Sequence, residues 1–369
     1  MELKSFGKRC GLEVAPVSIG AMRFPEDCTD AVSLIRHAID AGMRYIDTSR
    51  GYGESEFKLG RALKDGYREK VILSSKCSPW CKKVRPDDDG SADSVRRRIE
   101  EQLLRLDVEY LDFYQVWSVH NREAWELATK KGGMVDGIQK AIDEGLVKHT
   151  GFTTHDTVEN LLEYLDTADW AEVILCTYNF LNRTYEPVIE KAHAKGLGTI
   201  VMNPVGGGKL TGNSPVIMEL ASQLGVASVP DLAVRYVLSN PNVDTILCGM
   251  QKHTDIDATV AAATQPVLST EQRETVNAFF EAHSRENVKF CTACKYCMPC
   301  PAGIDIPGIL GALYEERFLG LTEDAKRTYK HATRDIGPAA CTDCGACEEK
   351  CTQQLSVRAE LKQAMKRLA

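Results

Sequence analysis

Short apolar runs rich in β-branched residues alternate, through most of this chain, with longer stretches whose apolar positions recur every three or four residues. Eight such runs stand in the first 284 residues: VSIG, RYIDTS, VILSSK, LDFYQVW, KHTGFT, VILCT, GTIVMN and DTILCG. The stretches between them have helical periodicity, which predicts helices over 31–41, 91–106, 135–144, 158–165, 185–194 and 216–224. Strands alternating with helices make a parallel sheet, because each crossover must bury its apolar face on that sheet. Eight such units in about 250 residues fit a closed (β/α)8 TIM barrel. A doubly wound open sheet would want a Gly-rich turn after its first strand, and residues 18–25 offer none. After residue 284 the strand pattern stops. Helices are predicted over 270–283, 306–318 and 324–332, so the chain divides into a barrel, 1–284, and a small, mostly helical domain, 285–369.

Cysteine changes the picture of that second domain. Eight of the 14 cysteines fall there in two tight runs, Cys291, Cys294, Cys297, Cys300 and Cys341, Cys344, Cys347, Cys351. Three thiols spaced three apart let one short loop wrap a cubic cluster, with the fourth ligand coming from elsewhere. The domain therefore reads as a ferredoxin-like module binding two [4Fe–4S] clusters. Zinc sites usually show two separated C-x-x-C pairs, and the runs overfill tetrahedral sites. Disulfides need an oxidising compartment, and the chain opens MELKSFGKRC without an apolar signal segment. The runs resemble those of two-cluster ferredoxins, in which the fourth cysteine crosses to the other cluster. The resemblance implies Cys291, Cys294, Cys297 and Cys351 on one cluster and Cys341, Cys344, Cys347 and Cys300 on the other. Two departures are visible: only Met298 and Pro299 precede the last cysteine of the first run, and Thr352, not proline, follows the second.

In a (β/α)8 barrel, chemistry sits where strands end. The run RYIDTS brings Asp47 there, with Tyr52 five residues on, and VILSSK brings Lys76. A lysine at a packed barrel mouth needs an anion, and Asp47 on the adjacent strand is placed to supply it. A positive charge beside a phenol favours phenolate, which makes Tyr52 a competent proton donor.

These stretches, DTSRGYGESE and ILSSK, with the later GFTTH, YNFLNR and NPVGGGKL, resemble the aldo-keto reductase family over residues 1 to about 265. The resemblance implies hydride transfer between a nicotinamide and a carbonyl carbon, with Tyr52 as acid and Asp47 and Lys76 tuning it. It also implies a histidine on the fourth barrel strand, but that position, five residues after Asp112, is Trp117. His120 supplies the imidazole only if its loop folds back over the mouth or the strand carries a bulge; Trp117 would then shape an apolar pocket. For the nucleotide, the residues implied are Thr153 in GFTTH, Lys252 near the adenosine end, and the loop of Gly207, Gly208 and Lys209, whose amides and ammonium suit a phosphate. Gln251, Thr259, Leu175 and Met202 depart from the residues usual at cofactor positions, so NADH, NADPH and a flavin stay open. Cys77 and Cys81 read as loop residues. His155 either binds substrate or caps the next helix. The whole chain resembles the branch of anaerobe aldo-keto reductases that carries an appended cluster domain.

Net charge is −7 with no basic stripe, which argues against nucleic acid as a partner. No apolar run approaches membrane-spanning length, so a cytoplasmic, membrane-free protein is expected. The leading expectation is an iron–sulfur oxidoreductase acting on a small carbonyl or hydroxyl compound, with a ferredoxin or flavodoxin as electron partner. Two others stay open: an electron-transfer protein with a degenerate barrel, and a redox-neutral lyase or isomerase using Asp47, Tyr52 and Lys76 for proton transfer.

Overall fold

The computed structural model describes residues 1–80, 87–211, 214–283 and 290–369. Cys81 therefore lies outside the described residues. By compactness the chain forms two units that interleave in sequence: residues 1–178, 184–204 and 237–267 in one, and 179–183, 205–236 and 268–369 in the other.

All eight predicted barrel strands form, and they close in the first unit. A short antiparallel hairpin, β1 (Lys4–Ser5) and β2 (Glu13–Val14), precedes them. The barrel strands are β3 (Val17–Gly20), β4 (Tyr45–Asp47), β5 (Ile72–Cys77), β6 (Leu111–Val119), β7 (Val147–Thr154), β8 (Val173–Thr177), β9 (Gly198–Met202) and β10 (Thr245–Cys248). They run in sequence order, and β10 pairs in parallel with β3 to close the ring. Each strand is buried along nearly its whole length, as a sheet wrapped by helices demands.

The hairpin plugs the far end of the ring from the strands' C-termini. Phe6 stands edge-on to Tyr45 and Phe113, with centroids 5.5 and 5.7 Å away. Val173, Leu175, Ile200 and Leu247 complete that core, and Met202 packs against it. Burying such a ring stabilises by roughly 2–3 kcal/mol. Leu175 and Met202, noted above as departures at cofactor positions, thus fill barrel interior here. The strand reading missed this hairpin because two-residue strands leave no alternation to read, and the pattern also passed over the helices Ser55–Ala62 and Val357–Leu368.

The second unit is helical, with Thr270–His283, Ile306–Leu319, Thr322–Ala332 and Val357–Leu368 as its longer elements. Among the described residues no helix is long and apolar enough to cross a membrane.

Candidate active site and cysteine cavities

Asp47 and Lys76 are 3% and 1% exposed at the C-terminal ends of β4 and β5. Taking two such charges out of water costs several kcal/mol each, so they persist only because each is fully occupied. Lys76 Nζ donates to Asp47 Oδ2 and, at 2.9 Å, to the carbonyl of Thr48. Gln115, opposite Lys76 in the β5–β6 register, reaches the other oxygen: its Nε2 lies 3.3 Å from Asp47 Oδ1 and 2.8 Å from Ser74 Oγ. Burial pushes the Asp47 carboxyl above its usual range, while Lys76 and Gln115 pull it back. Sequence reading passed over Gln115. Its one signal was a polar amide inside the otherwise apolar run LDFYQVW.

Tyr52 follows from a tight turn. Ser49 Oγ donates to the Lys76 carbonyl at 3.1 Å and accepts from Gly51 N at 3.1 Å, and Tyr52 N donates to Ser49 O at 3.0 Å. The phenol ring is half-buried, with the Lys76 ammonium 5.0 Å from its centroid and the Trp117 ring edge-on at 5.8 Å. Four residues on, the fully buried Glu56 accepts from Ser75 Oγ at 2.9 Å, Gln102 Nε2 at 2.7 Å and Arg105 Nε at 2.7 Å. This network ties the helix after Tyr52 to the strand residue beside Lys76. The geometry thus brings together Asp47, Tyr52, Lys76 and Trp117.

A bulge resolves the odd spacing between Trp117 and His120. β6 and β7 stay in register through Val116–Phe152 and next pair at Val119–Thr154, so β6 holds one extra residue. Ser118 takes it up at φ +58°, a conformation that costs a non-glycine residue about 1 kcal/mol or more. The end of β7 satisfies the freed backbone: Thr153 Oγ1 accepts from Ser118 N at 2.7 Å, and Val119 O accepts from Thr154 Oγ1 at 3.0 Å and His155 N at 2.8 Å. His120, half-buried, donates from Nδ1 to the Ser118 carbonyl at 3.0 Å. Trp80 caps this corner, donating from Nε1 to Trp117 O at 2.8 Å with its ring 6.0 Å from His120.

His155 is 8% exposed. Burial, and then the neighbouring His120, lower its pKa to about 4. Since the unfolded value is 6.5, the unfolded chain binds the proton first as pH falls. The stability tied to neutral His155 is therefore complete above pH 6.5 and drains away as pH drops toward 4. Going from pH 7 to pH 5 should cost about 2 kcal/mol through this residue. Melting temperatures of the wild type and His155→Phe at both pH values measure it: the variant should fall less, and equal falls would exclude His155 as the source.

Thr153 uses its oxygen on the β6 bulge. Lys252 is exposed and its backbone N–H donates to Asp255 Oδ2 at 3.0 Å at the start of the helix His253–Thr264. In the second unit, Gly206, Gly207 and Gly208 all have positive φ, and a Cβ on Gly207 would lie 2.9 Å from Thr292 O. Glycine there lets the first cysteine run approach the loop backbone. The side chain of Lys209 lies outside the described residues. Cys77 is the buried last residue of β5, not a loop residue, and burial pushes its thiol up to about 12, so it is no ready nucleophile.

The eight cysteines of the second unit line two cavities. Cys291, Cys294, Cys297 and Cys351 surround one, walled by Ile306, Leu310, Leu355 and Val357. Cys300, Cys341, Cys344 and Cys347 surround another, beside Ile304 and Leu361. The last cysteine of each run stands with the first three of the other. Both runs wrap alike: the residues before their second cysteines, Ala293 and Asp343, both have φ +54°, and those after, Lys295 and Gly345, have φ +65° and +76°. Such alternation turns successive N–H groups to one side, a concavity that suits an anionic group. Burial and the nearby Cys291, Cys294 and Cys351 push the Cys297 thiol up to about 12. Four thiols in an apolar pocket need a cationic centre to be thiolates together, and iron in a sulfide-bridged cluster supplies one. The residues present fit that group.

Comparison with known proteins agrees. Residues 16–281 match the aldo/keto reductase family model, and 290–356 match a 4Fe-4S dicluster domain. An L-galactose dehydrogenase of Arabidopsis thaliana is 29% identical over 292 residues, covering 72% of this chain and 89% of that protein. Among solved structures, an aldo-keto reductase of Bacillus halodurans in its holo form superposes with a TM-score of 0.64 at 22% identity, covering 76% of this chain and 96% of that one, a likeness of fold. A Pseudomonas aeruginosa protein assigned to the aldo-keto reductases gives 0.57 at 25% identity, covering 71% and 94%. Barrel, buried ion pair and cysteine cavities converge: the chain belongs to the aldo/keto reductase family and is an iron–sulfur oxidoreductase, a barrel followed by a 4Fe-4S dicluster domain.

Proposed function

We propose that this protein interconverts a small carbonyl compound and its alcohol at the mouth of the barrel, with Tyr52 as general acid and base. The observation that carries this reading is the buried Lys76–Asp47 pair beside the Tyr52 ring. The ammonium favours the phenolate left when Tyr52 gives its proton to the substrate oxygen, and Asp47, held by Gln115, keeps that ammonium in place. His120 is proposed to line the mouth beside the substrate, and Trp117 to wall the site against water. NAD(P)H, when bound, supplies the hydride, with Thr153, Gly207, Gly208, Lys209 and Lys252 as the residues proposed to hold it. The relative named for L-galactose makes aldoses the first substrates to try, with aromatic aldehydes beside them because of Trp117 and Trp80.

The dicluster part, taken as 285–369 after a barrel of 1–284, is proposed to hold two clusters with the crossed ligand sets that line the two cavities. They relay single electrons, from a ferredoxin or flavodoxin, to chemistry that needs two. A flavin at the mouth would bridge that mismatch. One observation favours a second reading, an electron-transfer protein with a degenerate barrel: Thr292 crowds Gly207, where a nucleotide phosphate was expected.

Protein purified without oxygen separates these. Titration with NADPH and NADH should change protein fluorescence or cluster absorbance, and iron and sulfide should each come to about eight per chain for two cubanes. A protein indifferent to both nucleotides sinks the nicotinamide reading, and a colourless, zinc-loaded one sinks the clusters.

A further inference from the structure

The fourth strand position that a histidine occupies across the resembled family is filled here by Trp117, and the imidazole His120 is displaced by a bulge. A second imidazole stands against the same bulge. His155 leaves the end of β7 with its backbone N–H on Val119 O, the residue at which the bulged strands pair again, and its ring neighbours His120. The ring is more than nine-tenths buried, and its Nδ1 has no hydrogen-bond partner among the described residues. Asp156, the nearest acid in sequence, does not serve it: that carboxylate is spent on Tyr164 Oη at 2.8 Å, Asn160 Nδ2 at 3.0 Å and Thr157 N at 2.7 Å. Tyr185 donates to Asp156 O at 2.7 Å, and His120, the titratable neighbour of the ring, is held by Nδ1 on Ser118 O at 3.0 Å. None of these groups serves His155 Nδ1.

Buried polar atoms are nearly always satisfied, because an unmet donor or acceptor keeps the full cost of its lost water. A chain that retains one beside a candidate active site, at the same end of the barrel as Tyr52 and His120, keeps it for an atom that arrives with a ligand. We propose that His155 is a substrate-orienting imidazole of this site, donating from Nδ1 to an oxygen of the bound carbonyl compound or alcohol in the role that Trp117 cannot fill. This rests on the carbonyl reading above. Deep burial keeps the ring uncharged at working pH, and an uncharged imidazole N–H polarises a carbonyl without placing a full charge in an apolar pocket. The bulge then has a purpose: it removes a strand imidazole, makes room for Trp117, and brings the head of the β7 loop to the oxygen instead.

The test compares wild type, His155→Phe, His155→Leu, His155→Asn and Tyr52→Phe as anaerobically prepared holoproteins, with NADPH and a panel of benzaldehyde and simple aldoses. Phenylalanine and leucine remove an unsatisfied nitrogen from an apolar place, so their melting temperatures at pH 7 should hold or rise. Their kcat/KM should nevertheless drop roughly tenfold or more, the worth of one buried hydrogen bond. Asparagine, which returns an N–H near the position of Nδ1, should recover to within about threefold of wild type. If the apolar variants are folded and within twofold of wild type, the nitrogen holds a water and the inference is overturned. Should both fail to fold, His155→Asn decides through substrate-linked protection: a wild-type-like rise in melting temperature on adding the aldehyde supports the bond, and loss of turnover together with that rise contradicts it. If Tyr52→Phe turns over as fast as wild type, or wild type reduces nothing in the panel, the parent reading fails instead.

Discussion

Replacing Tyr52 by phenylalanine should lower turnover by roughly 10²- to 10⁴-fold, the usual worth of a positioned general acid. That is about 3–5 kcal/mol of transition-state stabilisation removed with a single oxygen. The ring keeps its edge-on Trp117 and its Lys76 neighbour, and the following helix stays pinned through Glu56. Iron and sulfide content should not change, since the cysteines belong to the other compact unit. Loss in kcat with little change in KM would mark a group acting on the transition state. Steady-state rates with NADPH and an aldehyde, beside iron analysis of the same sample, check this, and near-wild-type turnover would remove Tyr52 from the mechanism.

The sequence read well wherever periodicity and spacing carry the information. Strand ends at Asp47 and Lys76 follow from apolar runs of fixed length, and parallel pairing places such ends together at one rim. The cysteine runs state their own geometry, since three thiols three apart can close on only one centre. What escaped was set by pairing between distant residues. Gln115 gains its place only because β5 and β6 put it opposite Lys76, and Glu56 only because the helices packed behind Tyr52 bring Gln102 and Arg105 to it. The β6 bulge depends on hydroxyls of Thr153 and Thr154, 35 residues away in sequence. Spacing alone therefore showed that His120 was out of phase without showing how the strand absorbs the extra residue. Likewise, composition marks the glycine run at 206–208 as a loop, but not that Gly207 admits the backbone of Thr292.

Lys76→Met should destabilise the barrel by about 3–5 kcal/mol, because it strands Asp47 as an unpaired buried charge. For a unit of this size that is a fall in melting temperature of roughly 10 °C. Gln115 alone cannot compensate, since one neutral donor replaces a full positive charge on a carboxyl that burial already pushes upward. The sign of the pH dependence follows. With the lysine gone, the folded-state pKa of Asp47 rises further above its unfolded value, so the penalty is absent at low pH, grows as pH rises through the folded pKa and is constant above it. Acidification should therefore narrow the gap between variant and wild type. Adding Asp47→Leu to Lys76→Met removes the stranded charge, and the double variant should recover most of the lost stability, because a buried pair replaced by apolar residues of similar volume costs little. Activity should not return with it. Recovered stability without turnover would show that the pair is retained at this rim for the chemistry of Tyr52 and not for the fold; a double variant as unstable as Lys76→Met would show that the pair holds β4 against β5.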